Sequence, residues 1–460
     1  MANANVTTSS FSLDPGKWPL GIVWLVFFVF TASLAFFVQL WFLPTFLPGS
    51  VSEHGLLLAT DSLSYHTLAA EMAEQVHQQG WTAWTLFPRG WFMVGFTAVV
   101  YVLTAPEPWV MIPVNAVAHA TCGVALLQIA LCFTNDRRTA FLAALPYMLF
   151  PSAAFFYTQL LKDGLFNMGL LLFLSGWVYL IRSLTRGNCW KPSLVFVLPI
   201  FAGFAVFGAV RPYMLTIANV ASFFVILVGL SVLARALFHK AVSPPLFTAR
   251  IIVILSVYGM QLLYPPLFVE ATAIEGKSVT MNARSAYAGN ALSAYDGRAL
   301  FGTGIIPKAA QRKLQAIAGT RKAYIIGRPD ALSTIDRDVF FNSATDIAAY
   351  VPRALQIIFF APFPDMWFGK GSTPASTIMR RVSMLEMVIS YGIMLGLPIS
   401  LWAWRRRAEM WALSMFCSSV MLVYGLASPN VGTIYRVRYG YLMVFLALGV
   451  LGWRRLRERK

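Results

Sequence analysis

Residues 60–66, TDSLSYH, place a carboxylate, a phenol and an imidazole close together in the chain, at Asp61, Tyr65 and His66. The segment follows a long apolar run that begins near Pro19. A carboxylate beside a nucleophile can accept its proton and act as a general base. The spacing of these side chains, just outside a hydrophobic segment, therefore raises the question of a reaction at a membrane surface.

The same segment also predicts a helix. Asp61 and Ser62 are both good N-cap residues. Apolar residues then recur at helical spacing, at Leu63, Leu68, Met72 and Val76. We expect an amphipathic helix on the outer surface of a membrane, with Asp61 at its N-terminus. Asp61 would either act in chemistry or only cap this helix, and the sequence leaves both open.

Cations occupy three further breaks in apolar sequence: Lys162 in TQLLKDGLF, Arg211 in GAVRPYML, and Arg436 with Arg438 in GTIYRVRYGY. Asp163 is the one acid inside these three turns. We expect the cations to converge on a common anion, for which a lipid-linked phosphate or pyrophosphate at the membrane surface is suitable. A snorkelling role, with the charge reaching lipid headgroups, is the alternative for Lys162.

The whole chain is apolar enough to explain where these residues lie. Of its 460 residues, 58% are hydrophobic and 12% are charged, and several apolar runs exceed the roughly 18–20 residues that cross a bilayer. The formal charge of +17 resides at the ends of these runs, which fits membrane topology and not nucleic-acid binding. The four cysteines show no disulfide framework.

The basic clusters predict the topology. If the short runs 91–105 and 354–368 do not cross, the clusters near residues 137, 186, 235, 406 and 455 all face the cytoplasm. The fold class is then an all-α polytopic membrane protein with about ten transmembrane helices and juxtamembrane amphipathic helices. Loop 44–108 and one large loop, 270–381, are extracytoplasmic.

The predicted domains are an N-terminal transmembrane module, 1–269, the loop 270–381, and C-terminal transmembrane helices, 382–460. Glu386 is expected to pair with Arg380 or Arg381. The chain contains no HExxH, GxSxG or Walker sequence, so zinc hydrolysis, acyl-serine chemistry and ATP-driven transport lack support.

In its motifs and their order the chain resembles the GT-C superfamily of integral-membrane glycosyltransferases. ATDSLSYHTLAAEMAEQ is similar to the family's first-loop pattern, and LFPSAAFFYTQLLKDGLF is similar to a helix that ends in a Lys-Asp pair in bacterial members. The segments PRALQIIFFAPFP and YRVRYGYL are more weakly similar to segments of bacterial members. The resemblance covers most of the membrane part and leaves out residues 275–349.

The resemblance implies a transfer of sugar from a polyprenyl-phosphate-linked donor to a glycan, lipid or protein acceptor. Asp61 would be the general base. The donor phosphate would be held by Lys162, Arg211, Arg436 and Arg438. Supporting roles would fall to Tyr65, His66, Asp163 and Arg284.

Many members of this family carry a second acidic residue beside the first, and Glu53, Glu71 and Glu74 do not match it. The need for a divalent metal, Mg²⁺ or Mn²⁺, therefore stays open. The resemblance also implies a bacterial inner membrane, with the site facing the periplasm. A lipid or solute transporter, and an O-antigen polymerase or ligase, are the alternative functions.

Overall fold

The computed structural model of the protein describes residues 14–58, 60–186, 195–239, 243–276, 307–327, 331–371 and 374–458. Within these ranges every regular element is a helix, and β-structure is limited to two isolated bridges, Val51 with Leu57 and Thr334 with Asn430. The all-α prediction is confirmed for this part of the chain.

The helices are numbered here in chain order. Their bounds are α1 Leu20–Phe37, α2 Asp61–Gln79, α3 Phe92–Leu103, α4 Ile112–Leu131, α5 Arg137–Leu149, α6 Pro151–Thr158, α7 Asp163–Arg186, α8 Val197–Val210, α9 Tyr213–Phe238, α10 Pro244–Gly276, α11 Lys308–Gly327, α12 Ala344–Phe360, α13 Pro374–Met394, α14 Leu397–Ala403, α15 Ala408–Ala427, α16 Val431–Val437 and α17 Tyr439–Arg457. Single helical turns extend α1 to Phe46 and follow α12 at Pro364–Trp367.

Six helical segments of the described chain are long and apolar enough to cross a membrane. They are Leu20–Phe46, Pro108–Leu131, Asp163–Ser183, Tyr213–Phe238, Ser376–Ala403 and Ala408–Ala427. The number rises to eight if α5 with α6 and α16 with α17, bent by 60° and 65°, each form one span. The protein is therefore an integral membrane protein, and the count of about ten stays a prediction.

The two short apolar runs, 91–105 and 354–368, do not form helices long enough to cross a membrane. Helix α3 has 12 residues and is about 18 Å long, well below the ~30 Å of a bilayer core. Helix α12 ends at Phe360 and is followed by the turn at Pro364–Trp367, so the run 354–368 is also broken. Neither is among the candidate spans, in agreement with the predicted topology.

The main hydrophobic core is built around α7 and α17. Nearly every residue from Tyr439 to Leu448 is buried, and α7 is buried along most of its length. A second cluster joins α11 and α12 to α16 through Phe341, Tyr350 and Ile434. This cluster draws on both the predicted loop 270–381 and the predicted C-terminal part 382–460, whose boundaries remain predictions.

The basic clusters meet at one end of the bundle, which we call the basic end. Arg182 donates to the Leu131 carbonyl at 3.1 Å, and Arg407 donates to the Cys132 carbonyl at 2.8 Å. Arg454 lies 3.8 Å from Asp136. The predicted grouping is therefore found for these three arginines, and it stays a prediction for the cluster near residue 235. Helices α7 and α17 both begin at the opposite end.

Candidate functional site

The carboxylate of Asp163 lies at the centre of the candidate site, at the N-terminus of α7. Asp163 is 1% exposed, and each of its oxygens accepts one arginine. Arg211 donates to Oδ1 and Arg436 donates to Oδ2, both at 2.6 Å. The N-terminus of a helix favours a negative charge, which suits an acid at this position. The common anion that the sequence predicted for these arginines is, within the protein itself, Asp163.

Glycines allow the helices that carry these residues to approach closely. A Cβ on Gly203 of α8 would lie 2.4 Å from the Gly169 carbonyl of α7, so only glycine permits this contact. A Cβ on Gly440 of α17 would lie 2.7 Å from Oδ1 of Asn167 on α7. These two contacts bring the residues that follow α8 and precede α17 to the first turn of α7.

Arg211 is held deep in the protein and retains hydrogen-bond donors that Asp163 does not use. Its side chain is 3% exposed, and its guanidinium lies 4.4 Å from the centre of the Phe166 ring. The Nε and Nη1 atoms are buried and make no hydrogen bond of good geometry, although the Tyr424 side chain is close enough to interact with the guanidinium. Because a buried donor is costly to leave without a strong partner, Arg211 retains hydrogen-bonding capacity that Asp163 does not use.

Arg436 connects Asp163 to the first loop. Its Nη2 atom, which donates to Asp163, also lies 4.0 Å from Oδ2 of Asp61. Asp61 is the first residue of α2, and the N-cap is Thr60, whose side chain accepts from the Ser62 amide at 3.4 Å. The expectation that Asp61 or Ser62 caps this helix is therefore wrong. The Asp61 side chain is 43% exposed and free for another role.

Lys162 completes a cluster with a net positive charge. Burial, followed by the positive charge of Arg211, lowers the pKa of Lys162, while the charges of Asp163 and Asp61 act in the opposite direction. Lys162 thus lies within electrostatic reach of the other charged residues. Three cations against two carboxylates leave one positive charge, which favours an anionic ligand.

Gln159 fixes the first loop to the turn that carries Lys162 and Asp163. Its Oε1 atom accepts from the Leu57 amide at 2.8 Å, and its Nε2 atom donates to the Gly55 carbonyl at 3.3 Å. The buried side-chain amide of Gln159 thus satisfies one backbone N–H and one backbone C=O of the loop. The loop therefore leads into α2 at a fixed position. Gln159 was not among the predicted site residues, although a lone amide within apolar sequence is a visible signal.

Tyr65 and His66 lie on the same helix and face different surroundings. Burial, with the charge of Asp61, raises the pKa of Tyr65, which packs edge-on against Trp91. His66 lies 2.9 Å from the Tyr101 hydroxyl, through Nδ1, and burial lowers its pKa. Tyr65 therefore borders the charged cluster, whereas the contacts of His66 join α2 to α3.

Arg438 does not share the environment of Arg436. Its side chain is fully buried and donates to the carbonyls of Ile357, at 3.0 Å, Ile358, at 2.6 Å, and Ala361. These are carbonyls at the C-terminal end of α12, which an arginine can cap. The structure thus places Arg438 in a helix-capping role and not among the cations on Asp163. Arg284, also expected at the site, lies outside the described residues.

Glu386 has different partners from those that the sequence predicted. Its carboxylate accepts from the Ser152 amide at 2.6 Å, from the Ser152 hydroxyl at 2.7 Å and from the Tyr435 hydroxyl. Arg380 donates instead to the Leu332 carbonyl, and Arg381 to the carbonyls of Trp367 and Phe368. The expected pairing of Glu386 with either arginine is therefore wrong. A helix break at Phe150 leaves the first amides of α6 free for Glu386.

A cavity of about 350 Å³ lies beside this network. Its walls combine apolar and aromatic side chains with hydroxyls, and include Phe156, Trp367, Met379, Ser152, Tyr435 and Arg436. Arg436 therefore belongs both to the cavity wall and to the ion pair with Asp163. The cavity and the charged cluster together form the candidate functional site.

The carboxylates of this site do not fit a divalent metal. Mg²⁺ and Mn²⁺ require several oxygen ligands. Both oxygens of Asp163 accept arginines, and Asp61 faces the guanidinium of Arg436. Among the described residues, no group of three or more His, Cys, Asp or Glu side chains is arranged to hold a metal ion. We therefore assign no step to a metal.

Comparisons with protein-family models, with curated proteins and with solved structures found no match to this chain. The functional assignment consequently depends on the chemistry of the site described above.

Proposed function

We propose that this protein is a glycosyltransferase of the GT-C type, which moves a sugar from a polyprenyl-phosphate-linked donor to an acceptor at the membrane surface. The observation that carries the proposal is the position of Arg436, 2.6 Å from Asp163 and 4.0 Å from Asp61. Arg436 thereby brings the solvent-accessible carboxylate of Asp61 next to the cations around Asp163. A transfer from a glycosyl phosphate needs both groups close together.

In the proposed reaction the bond between the anomeric carbon and the phosphate oxygen breaks, and its electron pair leaves with the phosphate. The acceptor oxygen or nitrogen bonds to the anomeric carbon and gives its proton to Asp61. Arg436, Lys162 and the donors of Arg211 that Asp163 does not use stabilise the negative charge that grows on the departing phosphate. Asp163 holds the two arginines in place and does not itself meet the acceptor.

The position of the site relative to the basic end supports an extracytoplasmic location. Arg182, Arg407 and Arg454 gather at the basic end, which the positive-inside rule assigns to the cytoplasm. The charged cluster lies at the first turn of α7, and Arg182 is near the other end of that helix. We propose a bacterial inner membrane with the site facing the periplasm, where a polyprenyl-linked sugar would reach it from the lipid.

The test uses the full chain in proteoliposomes that contain a polyprenyl-phosphate-linked sugar. We expect time-dependent release of free polyprenyl phosphate, with the sugar recovered on an added acceptor or on water. A transporter would instead move the intact lipid-linked sugar between leaflets without cleaving it. Translocation without cleavage, for every donor offered, would therefore reject the enzyme and favour the transporter.

An O-antigen polymerase or ligase would also cleave a lipid-linked sugar, and it has no obligatory first-loop aspartate. Activity that persists in an Asp61→Asn protein would favour that alternative. Glu71→Gln is the matched control, because Glu71 is exposed on the same helix as Asp61.

A further inference from the structure

We propose that the cavity beside Arg436 is the subsite for the transferred sugar, and that Glu386 makes it selective for hydroxyl groups by fixing the direction of the hydrogen bonds of Ser152 and Tyr435. This inference rests on the proposed function. It adds a binding site, a ligand chemistry and a specificity-determining network that no sequence motif predicted.

The dimensions of the cavity suit one sugar ring. Its volume of about 350 Å³ is near the lower end of the ~300–1,000 Å³ typical of ligand pockets. A polyprenyl chain of many isoprene units would be far larger. The walls supply aromatic faces at Phe155, Phe156 and Trp367, against which the apolar face of a sugar ring can pack.

In its ionised form Glu386 fixes the hydrogen-bonding polarity of the cavity. The hydroxyls of Ser152 and Tyr435 both donate to one oxygen of its carboxylate. A hydroxyl that has given its one proton to a carboxylate can only accept from any other partner. The oxygens of Ser152 and Tyr435 in the cavity wall therefore call for a ligand that donates hydrogen bonds, as the hydroxyls of a sugar do.

Other polar groups of the wall are already engaged within the protein. Asn430 donates to Ser333 at 2.9 Å and accepts from the Thr433 amide at 2.9 Å. Ser383 donates to the Arg380 carbonyl at 2.9 Å. The Tyr435 residue is half-buried and lines the cavity, and its hydroxyl oxygen, 3.3 Å from that of Ser152, is the acceptor that the proposal offers to a ligand.

The position of the cavity is consistent with the reaction. Tyr435 and Arg436 are neighbours on α16, and both line the cavity. A sugar held by Tyr435 would have its anomeric phosphate near Arg436, and Asp61 lies 4.0 Å from that guanidinium. The phosphate, the sugar and the proposed base would therefore meet at Arg436.

Binding measurements on the full chain in detergent test this inference. The probes are farnesyl phosphate and farnesyl phosphates that carry one glucose, galactose, mannose or pentose. We expect at least one sugar-bearing probe to bind more tightly than farnesyl phosphate. Tyr435→Phe should lower the affinity for that probe by about 2- to 10-fold, which is the effect of one hydrogen bond. It should change the affinity for farnesyl phosphate by less than about 2-fold.

Glu386→Gln provides a second variant. The backbone N–H of Ser152 needs an acceptor and keeps the glutamine oxygen, so the NH₂ group takes the position that both hydroxyls now bond. The hydroxyls of Ser152 and Tyr435 must then both turn their protons elsewhere. The advantage of the sugar-bearing probe should fall while binding of farnesyl phosphate persists. Tyr179→Phe is the matched control, because its hydroxyl bonds the Gln128 carbonyl at 3.0 Å some 24 Å along α7 from Asp163.

The outcomes separate the two proposals. If farnesyl phosphate binds but no sugar adds affinity, or if Tyr435→Phe weakens both kinds of probe equally, the sugar subsite is rejected and the proposed function stands. If neither kind of probe binds to the folded wild-type protein, both proposals are rejected. A sugar advantage that is lost in Tyr435→Phe and kept in Tyr179→Phe supports the subsite.

Discussion

Arg436 donates to the buried carboxylate of Asp163 at 2.6 Å, although 273 residues separate them in the chain. Asp61 begins α2 and Asp163 begins α7, and this contact gives the two acids different roles. Asp163 is buried and fully used by arginines, whereas Asp61 is partly exposed and lies at the edge of the same cationic centre. The proposed mechanism depends on this difference, because only Asp61 can reach an acceptor.

The first prediction concerns the stability that Asp163 provides. Asp163→Asn leaves Arg211 buried without its counter-charge, and removal of one partner of a buried ion pair costs about 3–5 kcal/mol. We expect a lower thermal midpoint in detergent and loss of activity together. Asp338→Asn, on the 331–343 segment of the protein, is a matched control. An unchanged midpoint in Asp163→Asn would show that the ion pair does not hold the helices together.

Arg211 should contribute to anion binding through the donors that Asp163 does not use. Arg211→Ala is expected to weaken binding of farnesyl phosphate by about 2–5 kcal/mol, the usual cost of truncating one partner of a buried charged contact. Lysine in its place should restore the contact with Asp163 but only part of the affinity, because it lacks the planar fork. Equal affinities in a folded alanine variant and the wild type would remove Arg211 from the phosphate site.

Lys162 should determine the alkaline side of the pH profile. Burial and the charge of Arg211 lower its pKa, so the ammonium loses its proton at a lower pH than an exposed lysine. If the protonated form stabilises the departing phosphate, kcat/KM should fall as the pH rises through this lowered pKa. Lys162→Arg should move the fall to higher pH. An alkaline limb that is identical in both proteins would assign it to another group.

The short helix α3 leads to a topological prediction. Its 12 residues do not span the bilayer, so both of its ends belong to the same side as Asp61. A cysteine placed at the exposed Thr104, in a variant without the native cysteines, should react with a membrane-impermeant reagent added from outside the cell. Labelling only from the cytoplasmic side would reverse the proposed orientation.

Much of the fold was predictable because hydrophobic length and charge act locally. The apolar runs gave the long helices α1, α4, α7, α9 and α15, and the arginines gave the basic end. The break between α5 and α6 was harder to predict from the sequence. The sequence from 139 to 160 is apolar across the break, and the 60° bend depends on how the chain packs around Phe150 and Pro151.

The charged cluster was predictable in part, because cations in apolar turns need a shared anion. Sequence reasoning could not tell that Asp163 itself would take this place for Arg211 and Arg436. It also could not separate Arg436 from Arg438, two residues apart, since helix α16 ends between them and directs Arg438 towards α12. Glu386 was misassigned because the nearest cations in sequence are not its neighbours in space.

The central claim is that Asp61 accepts the proton of the acceptor, and the most direct measurement is the single-turnover rate of sugar transfer by Asp61→Asn. Thr60 keeps the cap of α2 in this variant, so the fold should persist. We predict a rate that is lower by about 10²- to 10⁴-fold, with unchanged affinity for farnesyl phosphate and an unchanged thermal midpoint. A rate within about 2-fold of the wild type, in a folded variant that binds the donor, would contradict the mechanism.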